Sequence, residues 1–127
     1  MSQALQYIAV VDDEAAVCKG FERLLRAAKF DVATFSSGSA FLASLAIRTP
    51  ACVVLDLHMP DMNGFDVQSH LASSAAIAMG VVVVTAHDSP ESKQRSLAGG
   101  AAAYLTKPLE AKTLVDAIRA AIAAKAS

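Results

Sequence analysis

Five short apolar runs alternate along the chain with longer segments whose apolar residues recur at helical spacing. The runs are YIAVV, FDVATF, ACVVL, VVVVT and AAAYL, at residues 7–11, 30–35, 51–55, 81–85 and 101–105. Three of them are apolar without alternation, which is typical of strands covered on both faces in a parallel sheet. The pattern therefore predicts five strands, several of them buried on both faces.

The segments between these runs are predicted to be helices. Ser37 and Ser89 are candidate N-caps of the second and fourth helices, with Pro90 at the first helical position, and Asn63-Gly64 opens the third. The first and fifth segments each carry one apolar stripe, formed by Val17, Phe21, Leu24, Leu25 and Ala28, and by Leu114, Val115, Ile118, Ala121 and Ile122. Five β-α units joined by right-handed crossovers make one doubly wound α/β domain.

The composition is that of a folded, soluble domain. The 127 residues are 54% hydrophobic and 18% charged, which excludes disorder. The net charge of −1, without a basic stripe, argues against direct contact with nucleic acid. No basic leader and no apolar stretch of about 20 residues is visible, so we expect a cytoplasmic chain without membrane contact. Cys18 and Cys52 lie in apolar segments and are expected to be buried, reduced thiols.

Chemically active side chains stand where four of the predicted strands end. Strand one ends at Asp12-Asp13, strand three at Asp56, strand four at Thr85 and strand five at Lys107. Ligands of doubly wound sheets bind outside the carboxyl ends of the strands, at the topological switch point. The sequence therefore predicts a site containing three carboxylates, a hydroxyl and an ammonium group.

Three converging carboxylates repel one another by a few kcal/mol for each close pair, so the site needs positive charge. Lys107 supplies one charge, and a divalent cation would supply two more. Oxygen ligands favour Mg²⁺, or Mn²⁺, over Zn²⁺. A carboxylate nucleophile beside such a cation, a lysine and a hydroxyl has the parts for phosphoryl transfer. The edge is thus predicted to form an acyl phosphate.

The motifs VVDDE, VLDLHMPDMNGFD, VVVVTAH and AYLTKPL, in this order and spacing, resemble those of response-regulator receiver domains. The resemblance runs from about Ile8 to Ala123, and FSSGSAFLASL is most similar to the FixJ-like branch. It implies a single (βα)5 domain over residues 1–127, with its core at about 6–124 and no effector domain in this chain. The five-stranded parallel sheet is expected in the flavodoxin-like order 2-1-3-4-5, with helices on both faces.

The resemblance assigns the acidic residues to phosphorylation and metal binding. Asp56 would be the phospho-acceptor. Asp13 would ligate Mg²⁺ directly, together with Asp56 and the backbone carbonyl of His58. Asp12 would act on the ion through water.

It also assigns roles to the later motifs. Thr85 would bond the phosphoryl group, and Lys107 would pair with it. Lys107-Pro108 would form a cis peptide, which proline permits. Tyr104 matches the aromatic position that moves inward when Thr85 shifts, and Gly64 would serve the turn after the phosphorylation loop.

The three histidines are open to several interpretations. His58 follows Asp56 by two residues and His87 follows Thr85 by two, so both can lie at the rim of the site. Three roles stay open for them: solvated loop residues, regulators of phosphate lifetime through water access, or phosphorelay histidines. His70, in the third helix, is expected at the surface, with a phosphotransfer role left open.

The function implied is that of a two-component signalling domain rather than an enzyme acting on other molecules. A histidine kinase or histidine phosphotransfer protein would phosphorylate Asp56, and the domain would catalyse only its own phosphorylation and dephosphorylation. The face of helix four, strand five and helix five would then change and bind a partner, with homodimerisation as in the FixJ-like branch one alternative.

Three other classes remain to be weighed. A phosphatase of the haloacid dehalogenase type requires a second aspartate two residues after the nucleophile, where this chain has His58. A flavodoxin-like cofactor binder requires a phosphate-cradling loop after strand one, where Asp12-Asp13-Glu14 would repel a phosphate. A receiver fold serving only as a binding scaffold would not need the complete acidic set.

Overall fold

The computed structural model describes residues 5–74 and 78–126; residues 1–4, 75–77 and 127 of the predicted domain lie outside the described residues. Within these ranges strands and helices alternate as predicted: β1 (Tyr7–Val11), α1 (Ala15–Ala27), β2 (Asp31–Phe35), α2 (Gly38–Ser44), β3 (Cys52–Leu55), α3 (Gly64–Ala72), β4 (Gly80–Thr85), α4 (Pro90–Ala98), β5 (Ala103–Thr106) and α5 (Ala111–Ala126). None of the helices formed by the described residues is long and apolar enough to cross a membrane.

The five strands form one parallel sheet in the order β2-β1-β3-β4-β5, which confirms the predicted topology. Every residue of β1, β3 and β4 is buried. The edge strands β2 and β5 are partly exposed. The three runs without alternation are thus the inner strands, because their two faces are both covered by helices.

Alternate residues of the inner strands pack on opposite faces of the sheet. One face contacts α1 and α5 and includes Ile8, Val10, Val54, Val82, Val84, Leu114 and Ile118. The other contacts α2 and α3 and includes Ala9, Val11, Phe41, Val53, Val67 and Val83. These two cores hold the carboxyl ends of β1, β3 and β4 at one edge.

The predicted helix starts are confirmed by their caps. The side-chain oxygens of Ser37, Asn63 and Ser89 accept hydrogen bonds from the backbone N–H three residues further on, at 3.1, 2.9 and 3.0 Å. Asn63 forms a full capping box, since its own N–H bonds Asp66 at 3.1 Å. Each cap satisfies a backbone donor that the first helical turn leaves unpaired.

The fifth strand begins two residues later than the apolar run AAAYL predicts. Gly100 adopts a positive φ of 104°, and the N–H of Ala101 bonds back to α4 at 3.0 Å. Ladder bonding starts only with the N–H of Ala102, which donates to the carbonyl of Val81 at 2.8 Å. The first apolar residues of the run therefore close α4 instead of extending β5.

Both thiols are buried, as predicted, and we expect neither to be alkylated by iodoacetamide in the folded chain. Burial raises the pKa of Cys52 to about 12. Burial, followed by the negative charge of Asp12, raises the pKa of Cys18. Since the thiolate is the reacting species, mass spectrometry at mildly alkaline pH should show adducts only after guanidinium unfolding. An adduct on native Cys52 would contradict the packing of β3.

Candidate functional site

The site lies where the chain switches direction across the sheet. β1 pairs with β2 on one side and with β3 on the other, so the connections leaving β1 and β3 diverge and open a crevice. Asp12 and Asp13 follow β1, and Asp56 follows β3. One carboxylate oxygen from each of the three lies within 4.8 Å of the others. The structure therefore brings the predicted acidic residues together.

Two of these carboxylates are held rigidly by the sheet ladder. The N–H of Asp56 donates to the carbonyl of Val11 at 3.0 Å, and the N–H of Asp12 donates to the carbonyl of Phe35 at 3.1 Å. Asp12 is 2% exposed and Asp56 6% exposed, whereas Asp13 is exposed. Buried carboxylates need compensating partners, while Asp13 faces solvent at the mouth of the crevice.

Lys107 supplies the compensation for Asp12. Its backbone N–H donates to the carbonyl of Thr85 at 2.8 Å, and its ammonium donates to Oδ2 of Asp12 at 2.7 Å with the lysine side chain only 15% exposed. Oδ1 of Asp12 accepts the N–H of Glu14 at 2.9 Å. The peptide between Lys107 and Pro108 is cis, as the resemblance implied.

The charges of the crevice are strongly coupled. Burial is the main cause that raises the pKa of Asp56; the positive charge of Lys107 lowers that pKa, and the negative charge of Asp12 raises it again. Burial by itself lowers the pKa of Lys107. The hydrogen bond from Lys107 to Asp12 and the neighbouring carboxylates outweigh this effect, so that the pKa of Lys107 is raised. One lysine thus compensates three acids only in part.

Thr85 and Tyr104 both bond to the loop that joins β4 to α4. Thr85 is fully buried, and its Oγ1 accepts the backbone N–H of His87 at 3.1 Å. The hydroxyl of half-buried Tyr104 donates to Oδ1 of Asp88 at 3.0 Å. This loop therefore links the two residues to which the family resemblance assigned a switch, and the switch itself stays a prediction.

Gly64 is required by a close approach. Its N–H donates to the carbonyl of Leu57 at 3.0 Å. A Cβ at this position would lie 2.6 Å from the carbonyl oxygen of Asp56 and 2.9 Å from Cα of Leu57. The loop after Asp56 can fold back onto α3 only because residue 64 has no side chain. Glycine is therefore required here by the close approach of the Asp56–Leu57 backbone, and not only by the predicted turn.

Besides the hydrogen bond from Lys107 to Asp12, two further contacts at the site were not predicted. The imidazole rings of His58 and His87 meet edge to face with their centroids 4.8 Å apart. The thiol of Cys18 donates to the carbonyl of Asp12 at 3.2 Å. The two-residue offset of each histidine from a site residue was a signal for the first, whereas nothing in the sequence pattern indicated the second. His70 is exposed at the end of α3, as predicted.

The donor set fits a hard divalent cation. Asp12, Asp13 and Asp56 offer carboxylate oxygens within reach of one ion, and oxygen ligands with an exposed side open to water suit Mg²⁺. The elevated pKa of Asp56 reflects burial beside negative charge, which a bound cation would offset. The residues present therefore fit the ion that the sequence implied.

Comparison with known proteins agrees with this geometry. The family model for the response regulator receiver domain matches residues 8–119. The response regulator protein TodT of Pseudomonas putida is 32% identical over 122 residues, which are 96% of this chain and 53% of TodT. The chain thus spans about half the length of the curated relatives that it matches.

Solved structures show the same fold. The FixJ-N crystal structure is 30% identical, has a TM-score of 0.86, and the match covers 96% of each chain. A CheY-like receiver domain protein from Methanospirillum hungatei JF-1 has a TM-score of 0.89 at 24% identity, covering 97% of this chain and 98% of that one. At the latter identity the likeness concerns the fold alone.

Proposed function

We propose that this chain accepts a phosphoryl group on Asp56. The premise is its family, because the chain belongs to the response regulator receiver domain family and is the receiver of a two-component response regulator. The observation that carries the proposal is the carboxylate cluster beside Lys107. Asp12, Asp13 and Asp56 each place an oxygen within 4.8 Å of the others, and Asp12 bonds the ammonium at 2.7 Å.

Asp56 is the proposed nucleophile. One of its carboxylate oxygens attacks the phosphorus of a donor, so an O–P bond forms as the donor's P–N or P–O bond breaks. The bonding electron pair leaves with the donor group. Asp56 lies at the end of β3, where its backbone hydrogen bond to Val11 fixes its position. This keeps the carboxylate oriented for the attack.

The other residues stabilise the charge on the moving group. Asp13, Asp56 and the backbone carbonyl of His58 would hold Mg²⁺, with Asp12 acting through water, and the bound ion would supply positive charge to the phosphoryl oxygens. Lys107 supplies a further positive charge from the same edge. Oγ1 of Thr85 accepts a bond from the backbone, so its own proton can be donated to a phosphoryl oxygen.

A phosphohistidine of a histidine kinase or phosphotransfer protein is the proposed donor. As the P–N bond of the phosphohistidine breaks, its imidazole leaves with the bonding electron pair and becomes a neutral side chain once a proton is taken up, while the phosphoryl group passes to Asp56. The rings of His58 and His87 are exposed and in contact, two residues after Asp56 and Thr85 respectively, and we propose that they adjust the lifetime of the acyl phosphate by controlling access of water.

Acetyl phosphate, a small acyl phosphate, provides the first test. In the presence of Mg²⁺ we expect intact-mass spectrometry to show one added phosphoryl group per chain, and peptide mapping to place it on Asp56. Chelating the metal should stop the reaction while far-UV circular dichroism stays unchanged, because the sheet does not depend on the ion. Equal rates with and without chelator would contradict the proposal.

A matched pair of variants separates the metal ligand from general acidity. Asp13→Ala removes an exposed carboxylate of the cluster and should greatly slow phosphorylation. Asp116→Ala removes an exposed carboxylate of α5 that pairs with Lys112 at 2.7 Å, remote from the site, and should leave the rate unchanged. A similar loss in both variants would mean that overall charge, not coordination, governs the reaction.

We further propose that the face formed by α4, β5 and α5 carries the response. Phosphorylation would draw Thr85 toward Asp56, and the β4–α4 loop that bonds both Thr85 and Tyr104 would transmit the shift. A difference of only a few kcal/mol between two states lets one phosphoryl group change their populations. Homodimerisation through this face is the proposed output of the domain, without direct contact to nucleic acid.

Amide hydrogen exchange tests this switch. Between the free and the fully phosphorylated chain, we expect altered amide exchange within residues 86–125. Exchange in α2 should be unchanged, because this helix follows β2, which lies at the opposite edge of the sheet from β5. Sedimentation at several concentrations should detect dimer formation after phosphorylation. Identical exchange in residues 86–125 at complete phosphorylation would place the responsive face elsewhere.

A further inference from the structure

The side chains of His58 and His87 form a pair that neither ligates the proposed Mg²⁺ nor bonds the phosphoryl group in the proposed reaction. Their rings come from different loops, the one after β3 and the one after β4, and meet with centroids 4.8 Å apart and planes at 78°. Both residues are exposed. Two exposed imidazoles from separate loops are therefore in direct ring contact.

The spacing of the rings matches that of two imidazoles bound to one metal ion. A Zn–N bond of about 2.0–2.1 Å places each ring centroid roughly 3.2 Å from the ion. When the ligand–metal–ligand angle lies between its octahedral and tetrahedral values, the centroids of two such rings are about 4.5–5.2 Å apart. The observed 4.8 Å lies inside this range. Because both side chains are exposed, each ring can turn to aim a nitrogen at a shared ion without disturbing the core.

We propose that His58 and His87 form a binding site for a divalent transition-metal ion that favours imidazole, with Zn²⁺ as the representative ion. Water completes the coordination shell on the exposed side. Imidazole nitrogen suits Zn²⁺, Cu²⁺ and Ni²⁺, whereas the carboxylates of Asp12, Asp13 and Asp56 suit Mg²⁺. The two sites therefore differ in the chemistry of their ligands, although they share one crevice.

The two cysteines and the third histidine do not compete with this pair for Zn²⁺. Cys18 and Cys52 are buried, and burial raises the pKa of both thiols. The remaining histidine, His70, is exposed at the last turn of α3 and makes no ring contact with the pair among the described residues. The chain has three histidines, so the pair uses the two that the fold brings together.

A bound ion would link the β3–α3 and β4–α4 loops by coordination, in addition to the ring contact that they already make. The β3–α3 loop begins at Asp56, and the backbone of His87 in the β4–α4 loop bonds Thr85. Holding the two imidazoles on one ion restrains both loops at their exposed tips. This consequence concerns the loops themselves and can be measured without phosphorylation.

Titration calorimetry of the full chain with Zn²⁺, in excess Mg²⁺ to occupy the carboxylates, tests the site. We expect one Zn²⁺ per chain. Loss of a mere outer-shell partner typically weakens metal binding about 10–100-fold, so His58→Ala and His87→Ala should each weaken Zn²⁺ binding at least that much. Each variant keeps its backbone carbonyl and N–H, so the Mg²⁺ ligand at residue 58 and the bond to Thr85 remain.

Two controls make the outcome decisive. His70→Ala removes the unpaired exposed histidine and should leave Zn²⁺ binding unchanged, as should Asp13→Ala, which weakens the carboxylate site. Absence of Zn²⁺ binding, binding that either histidine variant retains in full, or one ion shared by two chains would overturn the proposal. Far-UV circular dichroism verifies that every variant is folded, and the binding readout does not depend on whether Asp56 accepts a phosphoryl group.

Discussion

Asp56→Asn should abolish phosphorylation by acetyl phosphate entirely. The amide has nearly the shape of the carboxylate, so the bond from residue 56 to Val11 and the packing of β3 persist, but an amide oxygen does not form an acyl phosphate. Intact-mass spectrometry in the presence of Mg²⁺ should therefore show only the unmodified chain. The effect is the largest that we expect on function, because a single atom is the acceptor.

Asp61→Asn is the matched control for this loss. Asp61 lies exposed in the same loop and adopts a positive φ of 67°, a conformation that asparagine tolerates well. This variant should take up the phosphoryl group at the normal rate. A label on the Asp56→Asn chain, or its loss from the Asp61→Asn chain, would show that the acceptor had been assigned to the wrong carboxylate.

Gly64→Ala should produce the largest loss of stability among the substitutions considered. The added Cβ would stand 2.6 Å from the carbonyl oxygen of Asp56 and 2.9 Å from Cα of Leu57, and backbone atoms cannot move aside as a flexible side chain can. Overpacking of this kind costs about 1–3 kcal/mol or more. Urea denaturation should show a lower free energy of unfolding, and phosphorylation should slow because the backbone carrying Asp56 is displaced.

Gly20→Ala provides the opposite result with the same chemical change. Gly20 lies inside α1, and a Cβ there would meet nothing within 4 Å. Replacing a glycine within a helix by alanine typically stabilises by roughly 0.5–1 kcal/mol. Changes of opposite sign in the free energy of unfolding of the two variants would show that the space around residue 64, rather than glycine content, decides stability. An unchanged free energy of unfolding in Gly64→Ala would contradict the close approach.

The hydrophobic pattern was sufficient to predict the five strands, the five helices and the edge that carries the site. Helix starts at Ser37, Asn63 and Ser89 followed from local capping chemistry, which acts over three residues and needs no tertiary partner. The meeting of Asp12, Asp13 and Asp56 followed from a topological rule, because the ends of parallel strands share one edge. Local periodicity and chain order therefore predicted the fold class and the residues of the candidate site, whereas the strand order was expected from the resemblance to receiver domains.

Contacts between segments distant in sequence were decided only by the tertiary structure. The hydrogen bond from Lys107 to Asp12 and the ring contact of His58 with His87 each depend on how closely two loops approach. No periodic pattern encodes such a distance, since the side chains lie outside regular elements. The sequence thus determined which side chains stand at the carboxyl ends of the strands. How their charges and rings pair was decided by the packing of both helix layers against one twisted sheet.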